Sequence, residues 1–190
     1  MTEKAKGELT KERIVEKAAE LAHKRGFEHT TLADIAEAAG VRKGNFYYYF
    51  KTKEELGRAV IGRQKELMRD KIEKWKRSSD TPAQRIIGFL EYIIDDCEGL
   101  AANGCPTGGL SYEIAKLDRT MLGNVGDIFK MVLEWLEKEF KEMGRGAKAK
   151  DDALRALATV QGTVLVSNAV QDENVIRSQI NTLISEIKSM

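Results

Sequence analysis

Residues 31–53, TLADIAEAAGVRKGNFYYYFKTK, decide how the chain is read. Thr31 predicts a helix cap, with Asp34 placing a carboxylate near the positive helix end three residues on. Leu32, Ile35, Ala36 and Ala39 fall on one face at three-to-four spacing. Gly40 predicts the stop, because a left-handed backbone there costs glycine little. Val41 anchors the turn, and a second short helix is expected from Lys43 to Tyr49. Two short helices joined this way cross at ~90–120°, so the first half of the second one can enter a DNA major groove.

The second helix carries side chains suited to that place. Lys43 reaches a guanine edge or a phosphate, and Asn45 both donates and accepts. Gly44 removes a side chain where the backbone comes closest to a duplex, while Tyr47 and Tyr48 offer planar faces and hydroxyls. Phe46 to Phe50 is a run of five aromatics, and a helix advancing ~100° per residue cannot bury them all. Phe46 and Phe50, four apart, are expected inside; Tyr47, Tyr48 and Tyr49 are expected at least partly outside. The formal net charge is only +1, so bulk charge announces no nucleic-acid partner. Its distribution does: Arg42, Lys43, Lys51 and Lys53 meet no acid within 42–53.

Working outward, Thr10 is expected to cap a helix from Lys11 to about Arg25, behind a frayed polar arm at 1–9. Gly26 stops it and Phe27 folds back on its apolar stripe. Thr52 and Glu55 predict a capping box opening a long, charged helix to about Arg77, a connector. After the break at 77–81, Thr81 and Pro82 start a broadly apolar helix. Residues 99–110, with four glycines and a proline, read as a loop or broken helix. Helix resumes over 111–118, then over 119–143, 151–170 and 174–188. With 42% hydrophobic and 32% charged residues and no period-two run of β-branched residues, an all-α globular protein is expected. No signal-type leader or long uncharged apolar span opens a membrane reading, and two cysteines form no disulfide framework, so a cytoplasmic place is expected.

The block TTLADIAEAAGVRKGNFYYYFKTKEEL, with ERIVEKAAELAHKRGF before it, resembles the N-terminal helix-turn-helix of TetR-family transcriptional regulators over Lys11 to about Ile61. The resemblance implies a nine-helix, all-α homodimer that binds a palindromic double-stranded DNA operator, most often as a repressor. It implies a three-helix DNA-binding domain, 1–53, and a ligand-binding and dimerisation domain, 54–190, with a connector at about 53–77. By position, the DNA-contacting places fall on Lys43, Gly44, Asn45, Tyr47, Tyr48, Tyr49 and Lys53, with Thr31 near a phosphate. Arg42, where the family usually has Ser or Thr, weakens the cap and adds a cation; Tyr49 stands where His is frequent. Lys51 adds a further backbone contact.

For the dimer, Leu157, Gly162, Leu165 and Ala169 of the penultimate helix are expected to pair with Ile176, Ile180, Leu183 and Ile184 of the last helix across a twofold axis. Phe89, Tyr92, Ile93, Tyr112, Phe129, Val132 and Trp135 are candidates to line an inducer cavity, as the resemblance implies. Cys105 gives a competing signal. It sits in NGCPTGGL just before a helix, where backbone amides can lower a thiol pKa, and the segment resembles a subgroup of the family with a GC motif, some of which sense electrophiles or oxidants. Enzyme chemistry has little to stand on, with His23 and His29 the only histidines and no phosphate-binding glycine loop after a strand. Neither cofactor nor metal is expected. A purely architectural DNA binder is the remaining alternative, and the large body with a candidate pocket argues against it.

Overall fold

The computed structural model describes residues 3–117 and 119–190, with side chains over 5–113 and 123–190. The all-α expectation holds. The helices are α1 (Glu3–Arg25), α2 (Leu32–Ala38), α3 (Lys43–Tyr49), α4 (Lys53–Ser78), α5 (Pro82–Asp95), α6 (Cys97–Asn103), α7 (Pro106–Leu117), α8 (Arg119–Glu142), α9 (Ala149–Val170) and α10 (Asn174–Lys188). A 3-10 turn, Gly146–Lys148, leads into α9. Among the described residues this makes nine helices when α5 and α6, interrupted only at Asp96, are taken as one bent helix.

One expectation about boundaries resolves, in favour of a broken helix, and another changes. Residues 99–110 are helical on both sides of a break at Gly104, whose φ of 75° only glycine adopts cheaply. Of the arm expected at 1–9, the described residues do not fray ahead of Thr10: α1 already runs from Glu3. Glu, Lys and Ala propagate a helix well, and Thr10, instead of capping, donates its hydroxyl back to the Lys6 carbonyl at 2.9 Å, as an interior threonine does.

The chain forms two compact units, residues 1–66 with 109–125, and residues 67–108 with 126–190. In the first, α1, α2 and α3 close over Ile14, Ala18, Phe27, Ile35, Phe46 and Phe50, each 2% exposed or less. Phe27 does fold back, and so closely that a Cβ on Gly57 would lie 2.9 Å from its ring. Gly40 and Val41 end α2 as a Schellman motif, their amides bonding to Glu37 and Ala36 carbonyls at 2.9 and 2.8 Å. The start of α4 is capped by Thr52, which accepts from the Glu55 amide at 3.1 Å; the Glu55 carboxylate reaches the Lys51 amide. In the second unit, α10 packs on α9 and α5, and α6 packs on α9. Its core joins Trp75, Phe89, Leu90, Trp135, Leu136, Phe140, Val160, Ile176 and Ile180.

Candidate nucleic-acid interface

The α2–turn–α3 geometry follows from its caps. Thr31 accepts from the Asp34 amide at 3.1 Å, and Asp34 accepts from the Thr31 amide at 3.0 Å and from its hydroxyl at 2.8 Å. Those bonds, chiefly the one from the Thr31 amide, hold the Asp34 carboxyl below the ordinary value of 3.8. The Thr31 hydroxyl is therefore already engaged at both lone pair and proton. At α3 the cap position falls to Arg42, which makes no side-chain capping bond, so its guanidinium is left to the surface. Arg42 is exposed, as are Lys43, Gly44, Asn45, Tyr47 and Tyr48.

The aromatic run divides as helix geometry requires. Phe46 and Phe50 are buried with ring centroids 6.2 Å apart. Tyr48 is 85% exposed and Tyr47 46%, whereas Tyr49 is half-buried, edge-on to Tyr48 at 5.4 Å. Lys51 is exposed; Lys53 is half-buried and turned back, donating to the Glu28 carbonyl at 2.7 Å and sitting 5.3 Å from the Phe27 ring centroid. Lys53 thus braces the α1–α2 turn. Gly44 has open surroundings, as do Gly7, Gly62 and Gly162 in other helices, and it alone of these four lies on the exposed face of α3. A Cβ added there would meet no atom within 4 Å, so nothing inside the protein requires glycine in this helix.

The family model described as bacterial regulatory proteins, tetR family, matches residues 14–60, which span the second half of α1, then α2, α3 and the start of α4. Over those residues the chain is similar to the tetR family. Across nearly its whole length it is similar to an HTH-type transcriptional regulator in the lacX 3' region of Lactococcus lactis subsp. lactis. The two are 29% identical over 178 residues, covering 92% of this chain and 91% of the relative. Among solved structures it is similar to a TetR transcriptional regulator from Chloroflexus aurantiacus J-10-FL. That match has a TM-score of 0.82 and 25% identity, covering 97% of this chain and 96% of that one. It is also similar to the reduced form of NemR from E. coli, with a TM-score of 0.79 and 20% identity, covering 92% and 95%. This regulator thus carries the family's helix-turn-helix on α2 and α3.

The other site residues fare unevenly. Phe89, Ile93, Val132 and Trp135 are buried and Tyr92 and Phe129 half-buried in the second unit. There Trp75, which no local motif singles out, stacks on Trp135 at 5.4 Å and meets Phe89 at 5.2 Å and Tyr92 at 5.8 Å. Tyr112 belongs to the other unit and is 67% exposed. Cys105 is half-buried and caps α7, its Sγ accepting from the Gly108 amide at 3.4 Å; Cys97 is buried. Within the first unit, Glu113 of α7 accepts from the Glu28 amide at 2.9 Å and lies beside Gly26, a strut that no local pattern announces.

The dimerisation expectation needs correction on α10. Ile176, Ile180, Leu183 and Ile184 are buried within the chain's own core, and so is Leu157, at 7% exposure. Their seam is satisfied by α9 and α5. Gly162, Leu165 and Ala169 are exposed, and they share an uncovered stripe of α9 with Leu154, Val166 and Val170. Among the described residues no helix is long and apolar enough to cross a membrane.

Proposed function

We propose that this regulator is a repressor that binds a palindromic double-stranded operator as a homodimer and is released from it by a small-molecule inducer. The open space over Gly44 carries the reading. Glycine within a helix costs about 0.5–1 kcal/mol relative to alanine, and no internal contact offsets that here. A close external approach, flanked by Lys43, Asn45, Tyr47 and Tyr48 for base edges and by Arg42 and Lys51 for phosphates, gives the residue a purpose. Thr31 contributes through the α2 cap, and Tyr49 and Lys53 contribute by holding the surface in place. Residues 1–53 act as the reading head and 54–190 as the body.

A twofold partner is seated on the α9 stripe through Leu165, Gly162 and Ala169, and two heads then meet two half-sites ~34–36 Å apart. The inducer enters among Phe89, Tyr92, Ile93, Phe129, Val132 and Trp135 by parting rings that now contact one another. The experiment is selection from a random duplex library followed by binding in rising salt. A recovered palindrome preferred over random duplex is expected; equal, salt-sensitive binding of every duplex would leave only an architectural role.

A second reading is favoured by one observation. Cys105 Sγ both caps α7 and is partly open to solvent, and the chain is similar to a NemR structure described as a reduced form. An electrophile adding to that sulfur removes an acceptor from the start of α7. Cys105→Ser is expected to keep operator binding and abolish release by electrophiles; release unchanged in that variant overturns the thiol reading and leaves the inducer reading standing.

A further inference from the structure

We propose that the groove between the first turns of α1 and the start of α3 extends the seat for the duplex, with α1 holding backbone phosphates beyond the stretch that the exposed face of α3 meets; the inference rests on the operator-binding reading above. The groove encloses about 1010 Å³ within the first unit. One wall is a single face of α1, with Lys6, Thr10 and Arg13 at three-to-four spacing and Lys11 beside them. The opposite wall is Arg42, Asn45, Tyr48 and Tyr49. This wall exists only because α1 starts at Glu3, a helical turn and more before Thr10.

Charge and shape both select the occupant. Lys6, Lys11, Arg13 and Arg42 line the groove against one acid, Glu8. Lys11 is pre-positioned, its ammonium 5.5 Å from the centroid of the Phe50 ring. A single phosphate-sized anion would leave most of such a trough empty, whereas a sugar-phosphate strand is long and carries a charge at every nucleotide. Continuity decides between strands. Asn45 and Tyr48 belong at once to this groove and to the exposed face of α3, so the strand bordering the major groove that α3 enters runs on into it. The contacts there are to backbone and set register and affinity, without reading bases.

The test uses the full chain and the duplex that the unaltered protein recovers from a random library. Lys6→Ala with Arg13→Ala is compared with Lys24→Ala, at the far end of α1. All three positions are exposed, so folding is expected to survive, and circular dichroism checks it. Each phosphate contact contributes a slope of about −0.9 to log K against log salt. The double variant is expected to bind with a slope shallower by about 2 per head and to lose one flanking stretch of hydroxyl-radical protection, with base preference unchanged. A slope and footprint matching the Lys24→Ala control overturn this inference while leaving operator binding intact. If the unaltered protein recovers no duplex, the operator reading itself fails.

Discussion

Gly44→Ala separates what the fold needs from what a partner needs. Gly44 is the second residue of the seven-residue α3, and an added methyl finds no atom within 4 Å. Alanine in place of glycine therefore relieves a helix cost of roughly 0.5–1 kcal/mol, the low end applying so close to the helix start. For a chain of 190 residues that raises the melting temperature by about 1–4 °C. The same methyl stands where the duplex must approach, and losing one good base-edge contact costs about 1–3 kcal/mol, or roughly fivefold to over a hundredfold in affinity. Thermal unfolding without DNA and fluorescence anisotropy with the selected duplex measure the two effects separately. Opposite signs are expected: greater stability, weaker binding. Greater stability with unchanged affinity would show that nothing approaches Gly44 and would remove the main support for the interface. Gly57→Ala is the internal contrast, since its Cβ would lie 2.9 Å from the buried Phe27 ring and overpacking costs about 1–3 kcal/mol whatever happens to binding.

Other substitutions probe the remaining parts. Leu165→Glu, on the uncovered stripe of α9, is expected to yield a folded monomer in sedimentation, whereas Ile180→Glu, at 0% exposure, is expected to unfold the chain; a folded dimer from the first refutes the α9 interface. Glu139, 2% exposed, accepts from Trp135 Nε1 at 2.8 Å and from Arg85 Nε at 2.8 Å, while Arg85 also holds the carbonyls of Ser79 and Asp80. Glu139→Ala leaves the guanidinium with Glu142, 2.7 Å away, as its remaining carboxylate and leaves Trp135 Nε1 unpaired; it is expected to cost about 1–3 kcal/mol in urea unfolding, part of it recovered when Arg85→Leu is added, and no recovery argues against a buried-charge origin. Asp34, with its pKa depressed, stabilises α2 at every pH above its ordinary 3.8, and that contribution is lost as pH falls below it through the depressed value. Asp34→Asn is expected to flatten this part of the acid-unfolding curve and to leave its neutral-pH shape alone.

The head was legible because its determinants are local. Thr31 and Asp34 close a ring within one turn, Gly40 adopts φ 61° where only glycine does so cheaply, and five successive aromatics on a helix must split into two sets. None of this needs knowledge of a distant residue. Thr10 was misread for the opposite reason. A threonine before a charged run can cap a helix or sit inside one, and only the helical propensity of the preceding Glu-Lys-Ala stretch, summed over turns, tips the balance.

The body was less legible because amphipathicity says that a face is covered and not by what. α10 has a clean apolar seam, and the sequence alone allowed a second copy of the chain to cover it; in the structure α9 and α5 do so, leaving its other face polar. α9 gave a weaker signal because its apolar residues lie on two sides, with Lys150, Asp151, Asp152 and Arg155 among them in its first turns. Ala153, Ala156, Val160 and Val164 are spent inside, yet Leu154, Leu165, Val166 and Val170 remain outside, each at least half exposed. A helix with both sides apolar has more surface to bury than one chain supplies, and such a patch marks an interaction site. The surplus on α9, more than the seam on α10, is therefore the physical argument for a second protomer.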